Sequence, residues 1–252
     1  AADSAVEWKN LARQAEVLGF STLFTCDHYL GPGRVSDESG HRPVDLAPIV
    51  PLAIAAAVTT TLRVGCRVFS CDFHHPVVLA KECATLDLLS DGRLEIGLGA
   101  GWVQAEYEGM GIHMEPAGRR IDKLEDYITL MRAQFTGAPI DVDTTNVRVH
   151  GFEGRPVPVQ KPNPPIMIGG GSRRVLTLAG READIVSINF NNAPGTLGPA
   201  SFAAAGPDAT LEKLKWIKEG AGLRFERIEI ETSAMSVTID DRPREAAEQM
   251  AS

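Results

Sequence analysis

The sequence predicts a parallel α/β barrel of the (β/α)8 TIM-barrel kind, and three observations lead there. Apolar runs of strand length alternate with segments of helical periodicity along most of the 252 residues. The runs are too apolar for half-exposed strands and suit a parallel sheet covered on its faces. Length agrees, because such barrels often use about 250 residues as a single domain. Six strands are expected, at 21–26, 62–69, 93–98, 166–168, 184–188 and 228–238, with the first and last of the eight absent from the chain. An open doubly wound sheet is the alternative. The organisation expected is one barrel domain over residues 1–252, with excursions near 31–45, 103–118, 137–165 and 190–207.

Each element has a local reason. Asp3 or Ser4 caps a helix whose apolar positions Val6, Leu11, Ala15 and Leu18 recur at helical spacing, and Gly19 ends it. The strand Ser21–Cys26 runs into Asp27-His28, and a loop rich in glycine and proline leads to a helix expected over 45–59. Pro76 opens the next helix at the first-turn position, where its missing N–H costs nothing. Ser90-Asp91-Gly92 turns the chain into the strand Arg93–Leu98. The helix over 119–135 places Ile121, Leu124, Ile128 and Met131 on one face. Six prolines between Gly137 and Pro165 break the alternation, and Asn146-Val147-Arg148-Val149 suggests a hairpin there. A last helix is expected from Arg242.

Composition excludes several function classes. Lys+Arg total 25 against Asp+Glu 33, a net charge of −8, with no basic block to follow a phosphate backbone, so nucleic acid is not expected as a partner. No apolar run approaches the roughly 20 residues of a membrane span. The opening Ala1-Ala2-Asp3-Ser4 lacks the basic-then-apolar pattern of a secretory leader. Cys26, Cys66, Cys71 and Cys83 have no CxxC spacing and read as buried thiols of a cytoplasmic protein.

In a barrel of this kind the site lies at the C-terminal strand ends. Those ends carry Asp27-His28, then Cys66–Asp72, then Gly99-Ala100-Gly101-Trp102, then Gly169-Gly170-Gly171-Ser172-Arg173-Arg174, and finally Asn189. The three consecutive glycines let the backbone approach a ligand, and the following helix aims free N–H groups at the same place. With Ser172 and Arg173 or Arg174 this reads as a phosphate site, or else as a turn with two solvated arginines. Gly97 to Gly101 has GxGxG rather than GxGxxG spacing, with no helix expected directly after it, so a small-residue strand end under a flat ring is the better reading. Trp102 is its neighbour, as a ring wall or as packing. Asp27-His28 suits acid–base work or direct cofactor contact, or else a loop cap and a space-filling ring. His74-His75 suggests metal at first sight. Adjacent extended residues point opposite ways, however, so a structural role is expected and no metal site. His41, His113 and His150 fall in loops with nothing in the sequence to bring them together.

Several separated blocks give the chain a family likeness. Ala12 to Phe20 leading to Asp27-His28, Pro76 to Glu82, Leu86 to Arg93, Gly97 to Trp102, Glu106-Tyr107, Gly109 to Gly111 and Pro164 to Gly170 occur in order. Over roughly residues 6–190 they resemble the luciferase-like monooxygenase superfamily, closest to its coenzyme F420-dependent oxidoreductases. The resemblance implies a barrel of bacterial-luciferase type holding a flavin or 5-deazaflavin at the strand ends. It implies a bulge, often with a non-proline cis peptide, at Cys66-Arg67 backing the ring, with His28 near the redox-active edge. Gly99–Trp102 matches the loop beside the ring, and Gly169–Arg173 matches the phosphate loop. Some sugar-phosphate members carry a Glu where Trp102 stands, which argues against that substrate class.

The expected function is hydride transfer between F420 and a small organic substrate, with His28 as the catalytic residue. The cofactor-binding set is Asp27, His28, Cys66, Arg67, Gly99, Ala100, Gly101, Trp102, Gly169, Gly170, Gly171, Ser172 and Arg173. The alternatives are an FMN-dependent monooxygenase using O2 and a separate reductase, and a flavin-binding paralogue without turnover. The resemblance also implies a homodimer, here through the small-residue face of Ala53, Ala55, Ala56 and Ala57 and the helix at 76–89.

Overall fold

A computed structural model describes residues 3–192, 195–198, 201, 205–234, 237 and 239–245. Strands β1 (Thr22–Thr25), β2 (Arg63–Ser70) and β3 (Leu94–Gly99) come first; β6 (Ile166–Gly170), β7 (Ile185–Ile188) and β8 (Glu229–Thr232) follow after a separate antiparallel hairpin of β4 (Pro139–Asp143) and β5 (Arg148–Glu153). The six barrel strands form one parallel sheet in the order β1-β2-β3-β6-β7-β8. Helices α1 (Ala5–Val17), α2 (Arg34–Ser39), α3 (Ile49–Val58), α4 (Pro76–Leu89), α5 (Gln104–Met110), α6 (Ala117–Phe135), α7 (Arg173–Glu182) and α8 (Pro207–Ala221) connect them, with a short 3-10 turn over Gly222–Arg227. This is the curled parallel sheet of a TIM barrel, with six strands among the described residues where a closed barrel has eight.

The six strand positions agree with the sequence reading, and the differences lie at the ends. The strand expected over 228–238 stops at Thr232, because β7, its neighbour among the described residues, offers four residues to pair with. Residues 235, 236 and 238 of that span lie outside the described ones, as does most of the helix expected after Arg242. The helix expected over 45–59 starts at Ile49: the residue before Pro48 is kept out of helical conformation by the proline ring. A short helix, α5, begins three residues after Gly101 where a loop is expected. The excursions hold α2 in 31–45, α5 in 103–118 and the β4–β5 hairpin in 137–165.

Buried residues of α3 (Leu52, Ala55, Ala56), α4 (Leu79, Ala80, Cys83, Ala84) and α6 (Leu124, Ile128, Met131, Phe135) share one core with Val64, Cys66, Leu94, Ile96 and Leu98 of the sheet. Polar clamps hold this core in register. Arg93, just before β3, donates to the carbonyls of Ala56 (2.7 Å), Leu62 (2.8 Å) and Ser90 (2.8 Å), tying the ends of α3 and α4 to the start of β2. Asp87 on α4 is fully buried. Its carboxylate accepts the N–H groups of Val159 (2.7 Å) and Gln160 (3.1 Å) and the Gln160 amide (2.7 Å), catching the chain as it returns from the hairpin to β6. Among the described residues no helix is long and apolar enough to cross a membrane.

Glu16 on α1 is a third clamp. One oxygen accepts the consecutive N–H groups of Thr60 (2.7 Å), Thr61 (2.6 Å) and Leu62 (3.0 Å). These bonds lower its pKa from 4.5 to about 2. A depressed carboxylate contributes stability that is present above the unfolded-state pKa and is lost as pH falls through the folded-state value. In thermal unfolding, Glu16→Gln should therefore lower Tm at neutral pH. The gap to wild type should narrow as pH falls from about 4.5 towards 2. A gap independent of pH would contradict this account of the clamp.

Candidate active site

The C-terminal strand ends surround a cavity of about 460 Å³, within the range of roughly 300–1,000 Å³ usual for small-molecule and cofactor sites. At the end of β1, Asp27 is buried and acts as a tie. Its Oδ2 accepts the N–H of Ser70 (2.8 Å) and lies 2.8 Å from His74 Nε2, which donates to the carboxylate. His74 thus joins the ends of β1 and β2, and Tyr127 on α6 holds the His74 carbonyl in turn. His28, the next residue along, lines the cavity. Its Nδ1 is 2.7 Å from Glu106 Oε2, and the other Glu106 oxygen accepts the N–H of Tyr29. Glu106 is only 2% exposed. A buried carboxylate on Nδ1 fixes the ring so that Nε2 is the nitrogen available to a ligand.

Glu106 is a functional candidate to which the sequence reading assigned no role. The signal was present in Glu106-Tyr107, four residues beyond the strand-end tryptophan, and α5 supplies the turn that aims Glu106 back at β1. His41 is the second surprise. Nothing in the sequence links it to His28, yet their ring centroids are 4.3 Å apart, and Trp102 stands 5.9 Å from each. Burial and the neighbouring His28 push the His41 pKa down.

On β2 the register shifts between Cys66 and Phe69, and the non-proline cis peptide joins Arg67 and Val68, one residue later than expected. Arg67 lines the cavity, and its Nε donates to Ser187 Oγ (3.1 Å) and to Glu231. Cys66 does not line the cavity. It is fully buried in the core between sheet and helices, so its expected place in the cofactor set is corrected, and burial raises its thiol pKa well above the ordinary value.

Gly99, Ala100, Gly101 and Trp102 all border the cavity. Gly101 has φ +69°, and a Cβ there would collide with the Tyr107 hydroxyl, so glycine is required by the protein's own packing. Arg120 on α6, 9% exposed, donates to the carbonyls of Ala100 (2.8 Å), Gly101 and Glu115 (2.8 Å) and holds this loop in place. Tyr107 donates to Asp72 (2.8 Å), which also accepts from Lys123 (2.8 Å), and burial raises the Tyr107 pKa.

Gly169, Gly170, Gly171 and Ser172 line the opposite wall. Ser172 is the N-cap of α7, and its hydroxyl makes no capping bond. Arg173 lies outside the cavity. It pairs with Glu219 on α8 (3.1 Å), and Arg174 pairs with Asp122 on α6. First-turn side chains of α7 splay along the helix flanks, where those carboxylates meet them. The anion site read from the sequence therefore keeps Ser172 and the helix N–H groups but neither arginine. Gly170 and Gly171 are also needed internally, since a Cβ would strike Val175 and the Phe190 carbonyl.

The lining suits a flat ring with hydrogen-bonding edges. Val68, Ala100, Ile121 and Val175 provide apolar surface, while the buried atoms Arg67 Nη2 and Asn192 Oδ1 have no hydrogen-bond partner among the described residues. Among the described residues no cluster of three or more histidine, cysteine or acidic side chains is placed to hold a metal.

The chain belongs to the luciferase-like monooxygenase family, an enzyme family whose profile matches residues 2–251. It is 34% identical over 186 residues to an uncharacterized protein of Mycobacterium tuberculosis, covering 69% of this chain and 64% of that protein, so it spans less than two thirds of the relative. Among solved structures, a riboflavin lyase with modified FMN and its substrate riboflavin is similar at TM-score 0.78 and 20% identity, over 98% of this chain and 59% of that one. The coenzyme F420-dependent tetrahydromethanopterin reductase of Methanopyrus kandleri is similar at TM-score 0.68 and 22% identity, over 91% of this chain and 61% of that one. At these identities the structural likeness establishes the fold.

Arg120→Ala should destabilise the protein by about 2–4 kcal/mol, since three carbonyls lose a buried charged donor. Urea unfolding gives the energy. Hydrogen exchange should localise the loosening to residues 99–102 and to the 115–120 turn.

Proposed function

We propose that this protein is an F420-dependent oxidoreductase that moves a hydride between the 5-deazaflavin and a small organic substrate. One observation carries the reading: a carboxylate-held imidazole, His28 on Glu106, lines the same strand-end cavity as the small-residue wall Gly99–Gly101 and the glycine loop ending at Ser172. F420, when bound, supplies the hydride chemistry. The protein's own part is to exclude water, orient and exchange a proton. Val68, Ala100, Ile121 and Val175 keep the cavity dry. Arg67 and Asn192, whose Nη2 and Oδ1 atoms are buried without a partner among the described residues, would hold the polar edge of the ring, and Ser172 with the α7 N-terminus would hold its first phosphate. His28 Nε2 exchanges a proton with the substrate while Glu106 holds Nδ1.

The likeness to a riboflavin lyase structure with modified FMN supports the second reading, an FMN-dependent monooxygenase with a separate reductase. A homodimer is part of the proposal. Ala55 and Ala56 face the core, so the contact falls instead on exposed Ala53, Ala57 and Val50 of α3 and Val78 and Leu89 of α4. A cytoplasmic location fits the four free cysteines.

Fluorescence-quenching titrations with F420 and with FMN test the reading. Tight F420 binding with weak FMN binding is expected. The reverse would favour the monooxygenase, and binding of neither would overturn both. His28→Ala should keep cofactor affinity within a few-fold and lower turnover by about 10²–10⁴-fold, the usual contribution of an acid–base side chain. An enzyme that binds F420 but turns over no substrate before mutation would point to the non-catalytic paralogue. Sedimentation equilibrium tests the dimer, and a monomer would overturn it.

A further inference from the structure

We infer that Arg67 and Glu231 tune the hydride equilibrium of a ring bound in the cavity. The Arg67 guanidinium favours the hydride-bearing state, while Glu231 positions it and moderates its charge. The inference rests on the proposed function in taking a hydride-carrying ring as the occupant of the cavity.

The pair crosses the barrel interior. Arg67 stands on β2 and its partners on β7 and β8, with β3 and β6 between them in the sheet. Its Nε donates to Ser187 Oγ at 3.1 Å and to the Glu231 carboxylate. Register explains the meeting. Gly169, Ser187 and Glu231 are aligned across β6, β7 and β8. Ile168 and Val186, one residue earlier, belong to the core shared by sheet and helices. Successive strand residues face opposite sides, so Gly169, Ser187 and Glu231 look into the barrel, where Arg67 meets them.

Two features make this more than a brace between strands. Arg67 lines the cavity together with Val68 and Gly169, so its charge borders the space a ring would fill. Its Nε is taken by β7 and β8, while Nη2 is buried with no partner among the described residues. A buried donor left so costs free energy that a ligand's acceptor would recover. The two side chains are only 23% and 24% exposed, so solvent screens neither charge fully.

The sign follows from electron balance. When the substrate gives up a hydride, its C–H bond breaks with both electrons. The gain on the ring is then one full negative charge, for a flavin and a deazaflavin alike. Arginine stays protonated at any working pH and stabilises that added charge. Glu231, bonded to Nε, opposes the effect while holding the side chain in place. Asp27, Glu106, Arg120 and the imidazoles of His28 and His41 also line the cavity. Asp27 is bonded through Oδ2 to Ser70 and His74 and leaves Oδ1 without a partner; Glu106 holds His28 and Tyr29, and Arg120 holds three carbonyls. None of these is bonded to Arg67 or Glu231, so they form a common background when either of the pair is changed.

Anaerobic titrations with oxidised and with reduced F420, and likewise with FMN, followed by protein fluorescence, test the pair. The readout is the ratio of the two dissociation constants, which gives the shift in the bound ring's reduction potential. A tenfold change in that ratio is about 30 mV for a two-electron couple. Arg67→Met should move the ratio about tenfold in favour of the oxidised form, the effect of losing one adjacent unit charge. Glu231→Gln should move it the other way, and Arg67→Lys should stay within a few-fold of wild type. Combining Arg67→Met with Glu231→Gln leaves no charge of the pair unmatched. That double variant should lie on the oxidised side of Glu231→Gln, which keeps the test sound if Arg67→Met alone does not fold. A mere brace between β2 and β8 would weaken both forms alike and leave the ratio unchanged. An unchanged ratio, or single variants that move it in the same direction, would overturn this inference and leave the proposed function standing. Binding of neither cofactor by the unaltered protein would overturn both.

Discussion

The side chain of Val68 occupies the place where its neighbours' Cβ atoms would otherwise sit, and much of the site follows from that. A Cβ on Gly99 would lie 2.5 Å from Val68 Cγ2, and one on Gly97 or Gly169 would lie 3.0 or 3.2 Å from Cγ1. Val68 stands in the irregular stretch of β2, between the residues where its register against β3 shifts. Glycines on β3 and β6 are thus the partners of a bulge on β2. Together they make a small-residue surface at the strand ends that lines the cavity.

Around that surface the polar groups are arranged by ties running between neighbouring elements. Asp27 and His74 lock β1 to β2, Glu106 locks α5 to His28, and Arg120 locks α6 to the loop after β3. Glu106 and Arg120 each satisfy a buried charge with several bonds, as the low-dielectric interior requires, and Asp27 makes both of its bonds through Oδ2. The Glu106 tie engages His28 through Nδ1, and the Arg42 carbonyl engages His41 through the same atom.

The legible parts of the site were those written in consecutive residues. Asp27-His28, Gly99–Trp102 and Gly169–Ser172 each sit where a strand ends, so the position of the strand was enough to bring them to one rim. Arg173 was misplaced because sequence order cannot tell the cavity side of a helix's first turn from its flanks, where Glu219 waited. Cys66 was misplaced because a single residue of register on a bulged strand exchanges core for cavity. Glu106 and His41 went unassigned because each reaches His28 from another segment, 78 residues away in the case of Glu106.

By itself the sequence determined the alternation of strand and helix, the six barrel strands and their order, and the glycines at the strand ends. These depend on local periodicity and on backbone freedom, properties carried by neighbouring residues. Tertiary structure alone decided which polar groups meet: the Glu106 carboxylate behind His28, His41 beside it, and both first-turn arginines of α7 turned away to carboxylates on α8 and α6. Contacts of that kind depend on where the curl of the sheet brings distant loops, and no spacing along the chain encodes that distance.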